Sequence, residues 1–187
     1  MIRSHVFLAD LQRSRGDTAS ASATMGEALR FVGSLESQSG LKQDELLTVI
    51  NLYHFKGDIE RELGQPQPAL QSYRRALHFD EQLSARFPGG RAQHSMSLDL
   101  SMVGDALAEL GDLKGALDEY DKALKLRLEN VQQHPDNAMY RRELALLYDW
   151  MGHYTGAPFG LNVGDREKAE KYYRQFVAIA EDLGRAD

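Results

Sequence analysis

Cysteine is absent from the 187 residues. That excludes disulfides, thiolate metal sites and a cysteine nucleophile, and it fits a reducing compartment. No apolar run approaches the roughly 20 residues that span a bilayer, and Met1 to Leu8 lacks the apolar stretch of a secretory signal. Positive charge is short and scattered: no basic run exceeds Arg74-Arg75 or Arg141-Arg142, and the net charge is −6. The basic stripe of a nucleic-acid binder is therefore missing. Proline is sparse, five in all, and there is one tryptophan. What remains is an ordinary folding composition, 42% hydrophobic and 27% charged. The expectation is a cytoplasmic chain that binds neither nucleic acid nor membrane.

Glycine carries the organisation. Gly64, Ala69 and Tyr73 have the same spacing as Gly111, Ala116 and Tyr120, and as Gly164, Ala169 and Tyr173. A weaker copy runs through Gly16, Ala21, Met25 and Ala28. The marker glycines Gly16, Gly64, Gly111 and Gly164 are 48, 47 and 53 residues apart. A second glycine stands seven residues before the marker at Gly57 and Gly104; Gly152 is the equivalent in the last unit, where about five extra residues intervene, and Ala9 takes the place in the first. Repeats at such a period are stacked supersecondary units. The reading is a single array of four helix pairs, with units 1–39, 40–89, 90–136 and 137–187.

The third unit shows the physics. Leu113, Ala116, Leu117, Tyr120, Leu124, Leu128 and Val131 recur at helical spacing and predict one apolar stripe on a helix of about five turns. Ala116 and Ala123 are small where a partner helix must approach, and Gly104 is small on the other side of that contact. Gly111 suits the left-handed residue that ends a helix. Asp112 and Asp165 suit the N-cap that begins the next. Pro66 near a helix start, and Pro88 and Pro135 beyond helix ends, punctuate consistently.

The pattern Gly104, Leu107, Gly111, Ala116, Tyr120 and Ala123, followed by Pro135, resembles the tetratricopeptide repeat family. The usual period is about 34 residues, so the longer unit here implies longer helices; HEAT and armadillo units of about 40–47 residues are the competing reading. The resemblance implies an all-α fold: a right-handed α-solenoid of about four antiparallel helix pairs. Gly104 to Leu126, His134-Pro135-Asp136-Asn137, Arg141-Arg142-Glu143-Leu144-Ala145 and the Gly156–Asn162 stretch are also similar to arrays in large bacterial signalling proteins. There such repeats follow a serine/threonine kinase or DNA-binding regulatory domain. That likeness implies a module of a longer protein. An abrupt start at Ile2 and a last helix ending near Leu183 without a polar capping helix point the same way, or to self-association through the end helices.

In such an array the first helix of each pair lines the concave face. Register around the interior glycine selects Phe7, Phe55, Met102 and Trp150 just before it, and Asp10, Asp58, Asp105 and His153 just after. Arg13 and Arg61 lie one turn on, and His54 precedes. These residues predict a groove with an aromatic floor and a row of carboxylates, suited to a protein or peptide with apolar anchors and Lys or Arg. The bland alternative packs the aromatics against the neighbouring unit and leaves the carboxylates in water. Aspartate stands where carboxylate-gripping grooves of this family carry asparagine, so a C-terminal carboxylate is repelled.

Chemistry has little support. His54 with Asp58, and Asp149 with His153, share helix faces but lack a third metal ligand. There is no His-Glu-x-x-His or Gly-x-Ser-x-Gly run. The four glycines from Gly152 to Gly164 lack the Gly-Lys-Ser/Thr of a phosphate loop and read as an enlarged turn, with Phe159 and Leu161 tucking into the array. One of Tyr172 and Tyr173 is expected in the core and the other on the surface. No catalytic residue, metal or cofactor is expected. The functional reading is a non-catalytic binding scaffold, with self-association through the terminal helices as the alternative.

Overall fold

The computed structural model describes residues 2–36 and 40–186. Among these there are eight α-helices and no strand: α1 (Ile2–Ser14), α2 (Thr18–Glu36), α3 (Gln43–Glu62), α4 (Pro66–Arg86), α5 (Gly90–Glu109), α6 (Leu113–Gln133), α7 (Ala138–Gly156) and α8 (Arg166–Ala186). They pair in sequence order, as the glycine spacing predicts. No described helix is long and apolar enough to cross a membrane. The chain forms two compact units, Met1–Ala92 and Gln93–Asp187.

In the first unit, short turns fold α1 onto α2 and α3 onto α4. Gly16 and Gly64 adopt φ of +78° and +69°, a left-handed conformation that favours glycine. Asp17 then caps α2, its Oδ1 accepting from the Ser20 amide at 3.1 Å, and Pro66 opens α4 at its first position. The core is apolar and drawn from all four helices, among them Ala9, Met25, Val32, Leu46, Ile50, Leu52, Ile59, Ala76 and Leu83.

The second unit repeats the device. Gly111 sits at φ +84°, and Asp112 caps α6 by accepting from the Gly115 amide at 2.9 Å. Asn137 caps α7 through the amides of Met139 and Tyr140, at 3.0 and 3.3 Å. The 157–165 turn to α8 is ordered by its own polar groups. Asn162 donates to the Ala157 and Gly160 carbonyls at 3.0 and 3.1 Å and accepts from the Gly164 amide at 3.0 Å. Phe159 and Leu161 do not tuck in: they are 84% and 71% exposed. With Asn162 and the Tyr154 and Thr155 carbonyls fixing the turn's backbone, no side-chain anchor is needed.

Two further expectations change. On α6 the buried positions are Ala116, Tyr120, Ala123, Arg127 and Asn130, whereas Leu128 is 44% exposed. The buried line advances by alternating steps of four and three and reaches Arg127 rather than Leu128, because the guanidinium finds oxygen acceptors inside. Tyr172 and Tyr173 do not divide into core and surface; both are half-buried. Tyr172 lies 6.1 Å from Tyr148, with the Lys168 ammonium 5.5 Å over its ring, and Tyr173 lies across Gly152.

The interior glycines have a specific reason. A Cβ on Gly104 would fall 2.5 Å from Cε1 of Tyr120, and one on Gly152 would fall 2.9 Å from Cε1 of Tyr173. Gly57 meets Tyr73 in the same way. The helix pair closes with one side of a tyrosine ring, Cδ1, Cε1 and Cζ, against a bare backbone.

Candidate functional site

In two of the repeats the residue after the interior glycine accepts the ring hydroxyl. Tyr73 donates to Asp58 at 2.9 Å, and Tyr120 donates to Asp105 at 2.6 Å. Two of the three predicted groove carboxylates are thus tied to the repeat framework. The third, Asp10, is exposed on α1, where Met25 stands in the tyrosine's place. The last unit keeps Tyr173 but has His153 at the acceptor position.

In the first unit the structure brings Arg13, Phe55 and Asp58 together. The Arg13 guanidinium lies 5.3 Å over the Phe55 ring. Its Nε donates to Glu62 at 2.7 Å, with Asp58 at 3.8 Å. Burial raises the Asp58 carboxyl above its usual range, opposed by the Tyr73 hydrogen bond and the charges of Arg13 and Arg61. Burial also pushes the Tyr73 phenol upward, with the Asp58 charge adding to it. Beside this cluster, Lys56 donates to Ser72 at 2.7 Å and Ser72 to Glu60 at 2.6 Å. His54 is half-buried, and burial lowers its imidazole to about 4, so it is neutral at pH 7. Phe7, on α1, is 75% exposed.

The second unit holds a groove of about 220 Å³ between α5, α6 and α7. Met102, Asp105 and Trp150 line it, with Leu98, Ser101, Tyr120, Arg127, Glu143, Leu146 and Leu147. Its rim is apolar, with Leu146 48% and Trp150 44% exposed. Trp150 stacks on Tyr154 at 6.2 Å, and Tyr154 stacks on Tyr120 at 6.1 Å, giving a ladder of three rings from the rim to the buried floor. His153 is exposed, edge-on to Tyr154 at 5.1 Å, and does not line the groove.

Arg127, only 7% exposed, forms the polar floor. It donates through one terminal nitrogen to Ser101 Oγ at 2.9 Å and through the other to the Glu143 backbone carbonyl. Burial lowers its pKa, against the opposing pull of Glu143 and Asp105, and an arginine remains charged nonetheless. The Glu143 carboxylate meets His94 Nε2 at 2.9 and 3.1 Å. The groove lining thus carries two carboxylates, Asp105 and Glu143, against one guanidinium, Arg127. Of the helix-face pairs set aside in the sequence, Asp58 accepts from Tyr73, and His153 packs edge-on to Tyr154.

Sequence reasoning did not single out Ser101, Arg127, Glu143 or Leu146. One signal was present. Arg127 occupies the register of Asp80 in the preceding unit, 47 residues earlier, and of Val32 in the first, and all three are buried. A buried position that alternates between apolar, acidic and basic residues is visible only once the repeats are aligned.

The tetratricopeptide repeat family profile matches residues 50–82 and 100–130. Those two stretches match the tetratricopeptide repeat pattern. These stretches hold Gly57, Gly64 and Tyr73, and Gly104, Gly111 and Tyr120. Such repeats generally mediate protein–protein interaction. No curated protein matches the sequence. Among solved structures, BtubC (BKLC) from P. vanneervenii is similar at a TM-score of 0.53 and 17% identity, over 98% of this chain and 78% of that one. That likeness shows a shared helical fold. The crystal structure of MamA protein aligns at a TM-score of 0.42 and 16% identity, over 98% and 94% of the two chains. A putative kinesin light chain with nearly identical TPR-like repeats, from Podosopora anserina, aligns at 0.40 and 14%, over 98% and 97%.

Proposed function

We propose that this chain is a non-catalytic scaffold that binds a protein or peptide, and that the groove between α5, α6 and α7 takes the partner's principal anchor. The observation that carries the reading is the half-exposed Leu146–Trp150 rim above an acidic, hydrogen-bonded floor. A rim of this kind gains by covering apolar surface, at roughly 25 cal/mol per Å². The volume accommodates one large apolar side chain, and the net charge of the floor favours Lys or Arg beside it. Phe55, Asp58 and Arg13 in the first unit, with Phe7, Asp10, His54 and Arg61 on the same helices, form a secondary contact surface. The likeness to arrays of bacterial multidomain signalling proteins supports a module of a larger cytoplasmic protein.

The test is selection of binders from a displayed library of random dodecapeptides against the whole chain. Enrichment of sequences with one large apolar residue next to Lys or Arg is expected, with binding reduced at least about tenfold (1.4 kcal/mol) by Leu146→Glu. Enriched peptides indifferent to Leu146→Glu and Trp150→Ala would place the binding surface elsewhere.

A further inference from the structure

The first unit lays an arginine of the chain itself on the aromatic residue that corresponds to Trp150. Phe55 stands two residues before Gly57 on α3, and Trp150 stands two before Gly152 on α7. The Arg13 guanidinium, reaching across from α1, lies 5.3 Å over the Phe55 ring. Carboxylates hold it there: its Nε donates to Glu62 at 2.7 Å, and Asp58 is 3.8 Å from a terminal nitrogen. Arginine suits such a seat, because its planar guanidinium stacks on a ring while its N–H groups still reach carboxylates.

The second unit has the seat without the arginine. Arg13 is four residues past Ala9, and the same step past Gly104 is Ala108, which is buried and carries no charge. Trp150 is 44% exposed, whereas Phe55 is half-buried. Tyr154 stacks beside Trp150, and among the described residues no cation lies over the indole. The residues lining its groove all belong to one compact unit. Asp105 and Glu143 are among them, and the one guanidinium present, Arg127, is bonded to Ser101 and to the Glu143 carbonyl. An indole also attracts a cation more strongly than a phenyl ring does.

We propose that Trp150 is the seat for an arginine of the protein partner, whose guanidinium lies over the indole as Arg13 lies over Phe55. This rests on the peptide-binding reading of the groove and sharpens it: the cation beside the apolar anchor is arginine, and Trp150 selects it over lysine. A lysine ammonium is compact and strongly hydrated, so it loses more water on entering and offers the ring no plane to stack on.

The experiment measures fluorescence polarisation of labelled dodecapeptides selected on the whole chain, each made with its arginine and with lysine or neutral citrulline in that place. Binding is read on the wild type, on Leu146→Glu and on Trp150→Leu, and circular dichroism verifies that both variants stay helical. On the wild type, lysine is expected to weaken binding about fivefold and citrulline at least about tenfold. Trp150→Leu is expected to bind the arginine and lysine forms equally, since the group that distinguishes them is gone. Selected peptides without arginine would overturn the seat. So would a lysine or citrulline form that binds the wild type as tightly as the arginine form; if Leu146→Glu still abolishes binding, the groove reading survives that result. A preference for arginine that persists in Trp150→Leu would also overturn the seat, because the carboxylates alone then read the guanidinium. Binding indifferent to Leu146→Glu, or failure to select any binder, would remove the groove reading and the seat together.

Discussion

The glycines of this chain do two different jobs, and substitution separates them. Gly104 has no side chain because the Tyr120 ring fills the space, with a Cβ there 2.5 Å from the ring. Gly104→Ala is expected to cost about 1–3 kcal/mol as the ring is forced off its position. Gly26, inside α2, would meet nothing within 4 Å. Gly26→Ala is expected to leave stability unchanged or raise it by up to about 1 kcal/mol. Chemical denaturation of the pair reads both signs. The tyrosine makes the complementary test: Tyr120→Phe keeps the ring and removes the 2.6 Å bond to Asp105, an expected loss of about 1 kcal/mol. Sequence spacing revealed Gly104 and Tyr120 as a repeating pair. It did not reveal that ring and glycine touch, because a period gives register along each helix and not which side chain spans the gap.

At the scale of the element, helix starts were the most legible feature, since a cap is a local matter of one side chain and the next turn. Asp112→Ala is expected to cost about 1 kcal/mol by freeing the Gly115 amide. At Asp17 the hydrogen bond from Ser20 lowers the carboxyl below its usual 3.8. The folded state therefore binds its proton less readily than the unfolded one. Its stabilising contribution is complete above the unfolded value and fades as pH falls through the lowered one. An acid titration of Asp17→Asn should lack that part of the slope. The buried face of α6 was less legible. An apolar pattern assigns a guanidinium to the surface, so Leu128 was expected inside, and Arg127 with its Ser101 and Glu143 acceptors went unnoticed. Those acceptors lie on α5 and α7, far along the chain, and no local pattern announces them. Arg127→Ala is expected to cost roughly 2–4 kcal/mol, leaving buried acceptors without their donor, and Leu128→Ala less than about 1 kcal/mol. The reverse order in thermal denaturation would restore the apolar-stripe reading. The 157–165 turn makes a similar point: apolar content suggested that Phe159 and Leu161 are anchors, yet polar self-satisfaction of the backbone holds the turn.

At the scale of the molecule, the helical-repeat fold followed from four copies of one spacing, because each copy independently reports the same packing. The candidate site was legible only in part. Register around the interior glycine found Met102, Asp105 and Trp150, which line one groove, and it found Arg13, Phe55 and Asp58, which meet in another place. It could not separate groove residues from those, like His153, that face away. The central claim is that the rim at Trp150 receives the partner. Trp150 is the sole tryptophan and half-exposed, so its emission reports on that rim alone. The most direct measurement is tryptophan fluorescence during titration with a tryptophan-free peptide selected on the whole chain. The account predicts a saturable blue shift as the indole loses water, absent in Leu146→Glu. Saturable binding by calorimetry with the Trp150 emission unmoved would contradict it.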